Sequence, residues 1–263
     1  MSRFIRHTLA ALAIGLATTA APAAGNVLRV TYPETENPPR ILGQRDTVPT
    51  DKPGISVELL RMVAAKTGLT LNLARAPWKR CLSLLENGYI DATFHASYTE
   101  ERAKYAVYPT RNGKLDVGRA IYLNRYALYV KRGSALRWDG QALSHVDKPV
   151  GTLAGNAIAD DLQKLGVKVE QAPGLSNNMD KLKAGQISAY AEIESIGDDF
   201  LAHHRGEFPE IEKLPLPMAE KQYFLVLSKA YYRKNPVLAE ALFDAVRDIQ
   251  TTPEYRKMLQ KYQ

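Results

Sequence analysis

The sequence predicts an α/β protein of two lobes, each a mostly parallel sheet flanked by helices, with two crossover strands joining them. Short runs of β-branched and aliphatic residues alternate with segments of helical periodicity, as in parallel sheets covered by helices. A helix–glycine–strand pattern occurs once in each half, at 85–92 and at 182–189. Two strand-like segments, 120–131 and 222–228, are placed to connect the halves.

The first half contains three predicted strands separated by two predicted helices. The strands are 28–32, 69–74 and 90–96, and the helices are 56–66 and 77–88. A long proline-rich loop follows the first strand. The second helix begins at Pro77 and ends at Gly88, because proline suits the first turn of a helix and glycine the position after its last turn.

The second half repeats this order and ends in two amphipathic helices. Its strands are 149–154, 167–171 and a run from 187, and its helices are 156–165, 176–185, 236–249 and 253–262. Asn156 is predicted to cap the first of these helices with its side chain. We expect the two final helices to lie beside the first lobe. Lobe 1 is therefore assigned to 24–119 and 224–263, and lobe 2 to 120–223.

The N-terminal segment predicts export from the cytoplasm. Two arginines and a histidine precede an apolar run from Leu9 to Ala17, and small residues follow up to Ala23. This order is typical of a secretory signal peptide, and the apolar run is shorter than the roughly 20 residues that span a bilayer. We predict a signal peptide at residues 1–23, a periplasmic location and no membrane anchor.

Composition and motifs exclude several classes of protein. The formal net charge is +7, of which Arg3 and Arg6 contribute two, and the remaining +5 forms no long basic run, so nucleic-acid binding is not indicated. The lone cysteine, Cys81, is expected to be buried and structural. Nucleophile-elbow, phosphate-loop and HExxH motifs are absent. His203 and His204 diverge by about 100° on a helix, so we predict no metal or other cofactor.

Ligands of parallel sheets bind outside the carboxyl ends of the strands, where helix N-termini and free backbone amides converge. Thr99 is placed to cap a short helix that carries Arg102 back over the cleft, where a guanidinium can hold a carboxylate bidentately. The alternative is a surface arginine paired with Glu100 or Glu101. Arg80 is either a second cation of the site or a solvated helix residue. The residues predicted at the strand ends are Tyr32, Trp78, His95, Ser97, Asn156, Ala157, Glu192 and Glu194.

The segment around Arg102 resembles the motif of the bacterial extracellular solute-binding proteins, family 3, the polar amino-acid receptors of ABC transporters. The matching residues are Ser97, Thr99, Glu101, Arg102, Lys104 and Tyr108-Pro109. The helix start at 54–60, Pro77-Trp78 and the opening of the second lobe at 151–156 match in order and spacing. The resemblance covers about 27–262 and implies the type II periplasmic binding protein fold.

The resemblance also implies roles for individual residues. Arg102 would hold the carboxylate of the ligand, and the Ser97 hydroxyl with the amides around Asn156 and Ala157 would complete the anion site. Tyr32 and Trp78 match the aromatic positions beside the ligand side chain, with core packing as the alternative. For His95, a structural role is the alternative to a place in the cleft.

The second lobe departs from the family pattern. The family's aspartate for the ligand amino group falls at Ile193 in an ungapped match, between Glu192 and Glu194. Either glutamate can accept an ammonium after a shift of one residue, with strand alternation placing both on one face. If neither points inward, the ligand is a carboxylate without an amino group.

The resemblance implies a monomeric receptor that closes around a small solute and delivers it to an inner-membrane ABC permease. We do not expect an enzyme. The alternative from another class is catalysis on this fold, as in the periplasmic cyclohexadienyl dehydratases, with Glu192 or Glu194 as general acid. A third interpretation is a sensor that presents its closed form to a membrane receptor.

Overall fold

The computed structural model describes residues 27–43 and 45–262; the signal peptide predicted at 1–23 lies outside them. The chain forms two lobes that share one curled mixed sheet of ten strands. The helices are α1 Ile55–Thr67, α2 Trp78–Glu86, α3 Glu100–Ala103, α4 Ile158–Lys164, α5 Leu175–Lys183, α6 Glu194–His203, α7 Lys229–Lys234, α8 Pro236–Ile249 and α9 Pro253–Leu259.

The strands are β1 Val27–Pro33, β2 Thr70–Ala76, β3 Ala92–Ser97, β4 Ala106–Val107, β5 Thr110–Arg111, β6 Lys114–Leu115, β7 Tyr122–Lys131, β8 Arg137–Trp138, β9 Leu143–Ser144, β10 Val150–Leu153, β11 Val169–Ala172, β12 Ala189–Ile193, β13 Ile211–Lys213 and β14 Ala219–Ser228. The sheet strands follow the order β11-β10-β12-β7-β14-β3-β1-β2, with β13 beside β7 and β4 beside β14. Two small hairpins, β5-β6 and β8-β9, lie outside this sheet.

Lobe 1 is built on the parallel strands β1, β2 and β3. Alternate residues of β1, Leu28, Val30 and Tyr32, are fully buried, which fixes its register, because a shift of one residue would expose them. Helix α8 packs on α1 and buries Leu242 and Val246. The C-terminal helices therefore lie beside α1.

The strands β7 and β14 join the lobes. Their first halves pair with each other, Tyr122–Tyr126 against Ala219–Tyr223. Beyond this shared segment β7 pairs with β12 of lobe 2, and β14 pairs with β3 of lobe 1. Both predicted crossover strands are thus present. We propose that the lobes divide at 119/120 and at 223/224, next to this paired segment.

The helix–glycine–strand pattern has the same backbone in both lobes. Gly88 and Gly185 follow α2 and α5 in the left-handed region, with φ of 71° and 66°. The next amides, of Tyr89 and Gln186, bond back to carbonyls at the helix end at 2.9 and 2.8 Å, a Schellman closure. Because a turn follows the glycine in each lobe, the strands begin at residues 92 and 189 rather than at the predicted 90 and 187.

Two further features concern single predictions. The predicted side-chain cap by Asn156 is wrong: α4 begins after Ala157, and no side chain caps it. Cys81 is buried as expected, and burial raises the pKa of its thiol to about 12, so the thiolate is disfavoured.

Within 27–43 and 45–262, every helix is too short or too polar to cross a bilayer.

Candidate functional site

A cavity lies between the lobes at the carboxyl ends of β1, β3, β10 and β12. Its volume is about 30 Å³, room for one or two water molecules. A solute of amino-acid size therefore enters only when the lobes separate. The lining residues are Pro33, Thr35, Asn37, Ile41, Trp78, His95, Ser97, Arg102, Tyr126, Leu153, Asn156, Ile193, Ile196 and Tyr223.

Arg102 lies in this lining, on the short helix α3, which the Thr99 hydroxyl caps by accepting the Arg102 amide at 3.1 Å. The residue is only 5% exposed. Its guanidinium donates to the Ser97 carbonyl at 2.8 Å and hydroxyl at 3.2 Å, and to the Gly155 carbonyl at 2.5 Å. The surface ion pair with Glu101 is not formed, since Glu101 pairs with Lys104.

Trp78 reaches across the cleft to the same carbonyl oxygen. Its indole Nε1 donates to the Gly155 carbonyl at 3.0 Å, and its ring lies 5.5 Å from the Arg102 guanidinium carbon. Gly155 has φ of 86°, and a Cβ atom there would come within 3.3 Å of the Trp78 ring. A glycine at 155 therefore permits two side chains of lobe 1 to meet one carbonyl of lobe 2.

His95 enters the lining through a β-bulge. Ala96 and Phe94 pair with the consecutive residues Phe224 and Leu225 of β14, so His95 is an extra residue in β3, with φ of 66°. A bulge turns a side chain away from the regular alternation of a strand. Here it directs the imidazole to the cavity.

Both ring nitrogens of His95 have partners. Nε2 lies 2.7 Å from the Ser56 hydroxyl and Nδ1 3.1 Å from the Tyr122 hydroxyl, which also accepts from Asn37 at 3.3 Å. Each hydroxyl can donate or accept, so either neutral tautomer satisfies both ring nitrogens. Burial, with a smaller effect of the Arg40 charge, holds the pKa of His95 well below its usual value. His95 is therefore neutral.

Asn37 links this network to lobe 2. Its Oδ1 accepts a hydrogen bond from the Ser195 hydroxyl of α6 at 2.6 Å. Sequence reasoning missed Asn37 and Ser195, because each follows a strand that has already ended and neither belongs to a recognisable motif. With the Gly155 contacts, this bond holds the lobes in the closed arrangement.

Glu192 is buried in lobe 2 and is 1% exposed. Its carboxyl group accepts from the Tyr190 hydroxyl, from the Ile193 amide at 2.6 Å and from the Asn156 side-chain amide at 3.5 Å. Burial raises its pKa to about 7. Of this group, Asn156 and Ile193 line the cavity and Glu192 does not.

Four other predicted site residues lie away from the cavity lining. Tyr32 is fully buried and stacks on Phe94, with ring centroids 4.9 Å apart. Arg80 is exposed on α2. Ala157 is buried behind the cavity. The backbone amide of its neighbour Asn156 already donates to the Leu153 carbonyl at 3.0 Å.

Glu194 is the fourth of these residues, and the expectation that it shares a face with Glu192 is wrong. The strand ends at Ile193, so Glu194 is the first residue of α6 and the alternation stops. Its carboxylate pairs with Lys213 at 2.7 Å on the surface. The described part of the chain contains no cluster of three or more metal-ligating side chains.

A cleft at the strand ends of two lobes joined by two strands is the architecture of the hinged solute-binding proteins. The sequence profile of the bacterial extracellular solute-binding proteins, family 3, matches residues 28–263, and the chain belongs to this family. No curated protein matches the sequence.

Solved structures with the same fold have diverged far in sequence. A histidine kinase sensor domain with similarity to periplasmic binding proteins has a TM-score of 0.70 at 16% identity, over 90% of this chain and 96% of that chain. ArtJ of Geobacillus stearothermophilus, an arginine-, lysine-, histidine-binding protein, has 0.69 at 16%, over 90% and 95%. The substrate-binding protein of an amino acid ABC transporter has 0.66 at 18%, over 90% and 99%.

Proposed function

We propose that the protein is a periplasmic receptor, exported by a signal peptide at 1–23, that captures a small polar carboxylate and delivers it to an ABC permease. The ligand class is the amino acids and their close relatives. The observation that carries this proposal is a buried guanidinium, that of Arg102, which lines the interlobe cavity and has only neutral acceptors. A buried cation without an anion is costly, and a carboxylate supplies the missing charge.

Capture follows from the contacts that cross the cleft. When the lobes separate, the Gly155 carbonyl moves away from the Arg102 Nη2 and the Trp78 Nε1, and both donors become available to a carboxylate. Closure then brings the second lobe over the bound solute. The ligand stabilises the closed state because it contacts both lobes at once, and only this differential binding shifts the equilibrium.

Transport is the favoured role because the family and the ABC transporter protein of similar fold support it. Sensing is the second candidate, since a histidine kinase sensor domain has the same fold. Both roles use the same closure. Catalysis by Glu192 or Glu194 is not favoured, because the first carboxyl group is occupied within lobe 2 and the second pairs with Lys213.

The proposal is tested by thermal unfolding of the mature protein with a panel of amino acids, organic acids and polyamines. A ligand at 100 times its Kd adds about 2.7 kcal/mol to the stability of the folded protein. We expect carboxylates to raise the melting temperature, and mass analysis to recover them unchanged. Stabilisation by polyamines alone, or conversion of the ligand, would contradict the proposal.

A further inference from the structure

The charge of the cavity is carried by one side chain. Among the described residues that line it, Arg102 is the only group that is ionised at neutral pH. His95 is neutral, because burial lowers its pKa and both ring nitrogens have hydroxyl partners. The other polar lining groups are amides and hydroxyls. The lining therefore presents a net positive charge to a solute.

A second cation lies behind the lining and adds to this potential. The guanidinium carbon of Arg40 lies 3.8 Å from the ring centroid of Tyr122, whose hydroxyl contacts His95. Within 27–43 and 45–262, neither Arg40 nor Arg102 forms an ion pair with an acid. Like charges in a medium of low dielectric constant reinforce each other's attraction for an anion.

The buried acid of lobe 2 offsets this charge only in part and lies outside the cavity lining. Its pKa of about 7 leaves about half of the Glu192 carboxyl groups protonated at pH 7. The carboxyl group already accepts bonds from Tyr190, the Ile193 amide and Asn156, of which Ile193 and Asn156 line the cavity. An ammonium group that bound there would compete with the Asn156 side-chain amide, 3.5 Å away. The hydrogen bonds of Glu192 link residues within lobe 2.

The acids at the outer edge of the cleft lie outside the cavity lining. Glu34, Glu36 and Asp199 line a depression that meets the cavity at Thr35 and Ile196, and Glu36 accepts a hydrogen bond from the Gly43 amide at 2.5 Å. One carbon separates the ammonium of an α-amino acid from its carboxylate. A carboxylate held by Arg102 therefore keeps the ammonium inside the cavity, away from these acids.

We infer that the ligand is a monocarboxylate without an α-ammonium group, with an apolar aliphatic or aromatic body. This inference rests on the proposed function and, within its ligand class, selects the relatives of the apolar amino acids that lack the amino group over the amino acids themselves. A bound monocarboxylate neutralises Arg102, whereas a zwitterion pairs its carboxylate with Arg102 but brings an ammonium without an anionic partner, so the closed site keeps one uncompensated buried cation. The side chains that would contact the body are Ile41, Trp78, Tyr126, Leu153, Ile193 and Ile196.

The test compares ligands of one carbon skeleton with and without the amino group. The mature protein is unfolded and refolded to remove co-purified solute, and is then titrated calorimetrically. The first series is 4-methylpentanoate, 2-oxo-4-methylpentanoate and leucine. The second is 3-phenylpropanoate, phenylpyruvate and phenylalanine. We expect at least one acid without the amino group to bind 30-fold or more tightly than its amino acid.

A Glu192→Gln variant shows whether the buried acid takes part. We expect the ratio of affinities within each series to be the same in this variant and in the wild type. An amino acid that binds as tightly as its analogue, and that loses this affinity in Glu192→Gln, would overturn the inference and leave the proposed function intact. If no member of either series binds, the inferred ligand class is wrong and the proposed function still stands; if binding is the same in Arg102→Ala, the proposed function itself is wrong.

Discussion

Two buried arginines of lobe 1, Arg75 and Arg102, have the same exposure and different surroundings. Each is 5% exposed and donates only to neutral oxygen atoms. Arg75 donates at 2.7 to 3.3 Å to four backbone carbonyls, that of Pro33 at the end of β1 and three of the loop that follows, and it lies outside the cavity lining. Arg102 donates to the other lobe and lines the cavity. Burial alone therefore does not identify a ligand-binding arginine. What distinguishes Arg102 from Arg75 is that Arg102 lines the cavity between the lobes.

The largest effect that this comparison predicts is on ligand affinity. Replacing Arg102 by alanine removes the buried charged contact to the carboxylate, and we expect affinity for a carboxylate ligand to fall by about 2 to 4 kcal/mol, roughly 30- to 1000-fold. Isothermal titration measures this, with circular dichroism to show that the fold is intact. Unchanged affinity would remove Arg102 from the site.

The matched variant, Arg75→Ala, should affect stability instead. Loss of this guanidinium leaves four partly buried carbonyl groups, those of Pro33, Glu34, Leu42 and Thr47, without their donor, so we expect the free energy of unfolding to fall by about 3 kcal/mol. Urea denaturation measures this loss. Ligand affinity should change less than in Arg102→Ala. If Arg75→Ala weakened binding as strongly and left stability unchanged, the distinction between the two arginines would be wrong.

Much of the fold could be predicted because its signals are local. The strand at 28–32 and the helix at 236–249 follow from the spacing of apolar residues, and the structure gives Val27–Pro33 and Pro236–Ile249. Gly88 and Gly185 mark helix ends because the closing turn needs positive φ. Such features depend on a few neighbouring residues, which the sequence displays directly.

The candidate site could be predicted only in part, because its geometry depends on contacts between distant segments. Residue type alone does not distinguish Arg102 from Arg75. Only the sequence motif around Arg102 indicates a ligand-binding role for it. The bulge at His95 depends on its pairing with β14, and the Asn37–Ser195 bond joins residues 158 positions apart. Glu192 and Glu194 lie in different environments because β12 ends between them, at Ile193. A sequence pattern predicts such a boundary only to within a few residues.

The smallest predicted effect extends the comparison to the buried acid of lobe 2. Glu192 has no buried counter-charge, and its pKa rises from an ordinary 4.5 to about 7 because burial disfavours the carboxylate. Between these two values the folded protein binds more protons than the unfolded chain. The stability that Glu192 contributes is therefore fully present below about pH 4.5 and is lost as the pH rises through 7.

Glu192→Gln keeps the shape of this side chain and removes its titration. We expect the unfolding free energy of the variant, relative to wild type, to increase by about 2 kcal/mol between pH 5 and pH 8. Urea denaturation of both proteins at the two pH values measures this difference. A difference that does not vary with pH would mean that Glu192 titrates normally in the folded protein. It would then carry a full negative charge at pH 7, where a pKa of about 7 leaves only about half of the Glu192 carboxyl groups ionised, and would offset the Arg102 charge more completely.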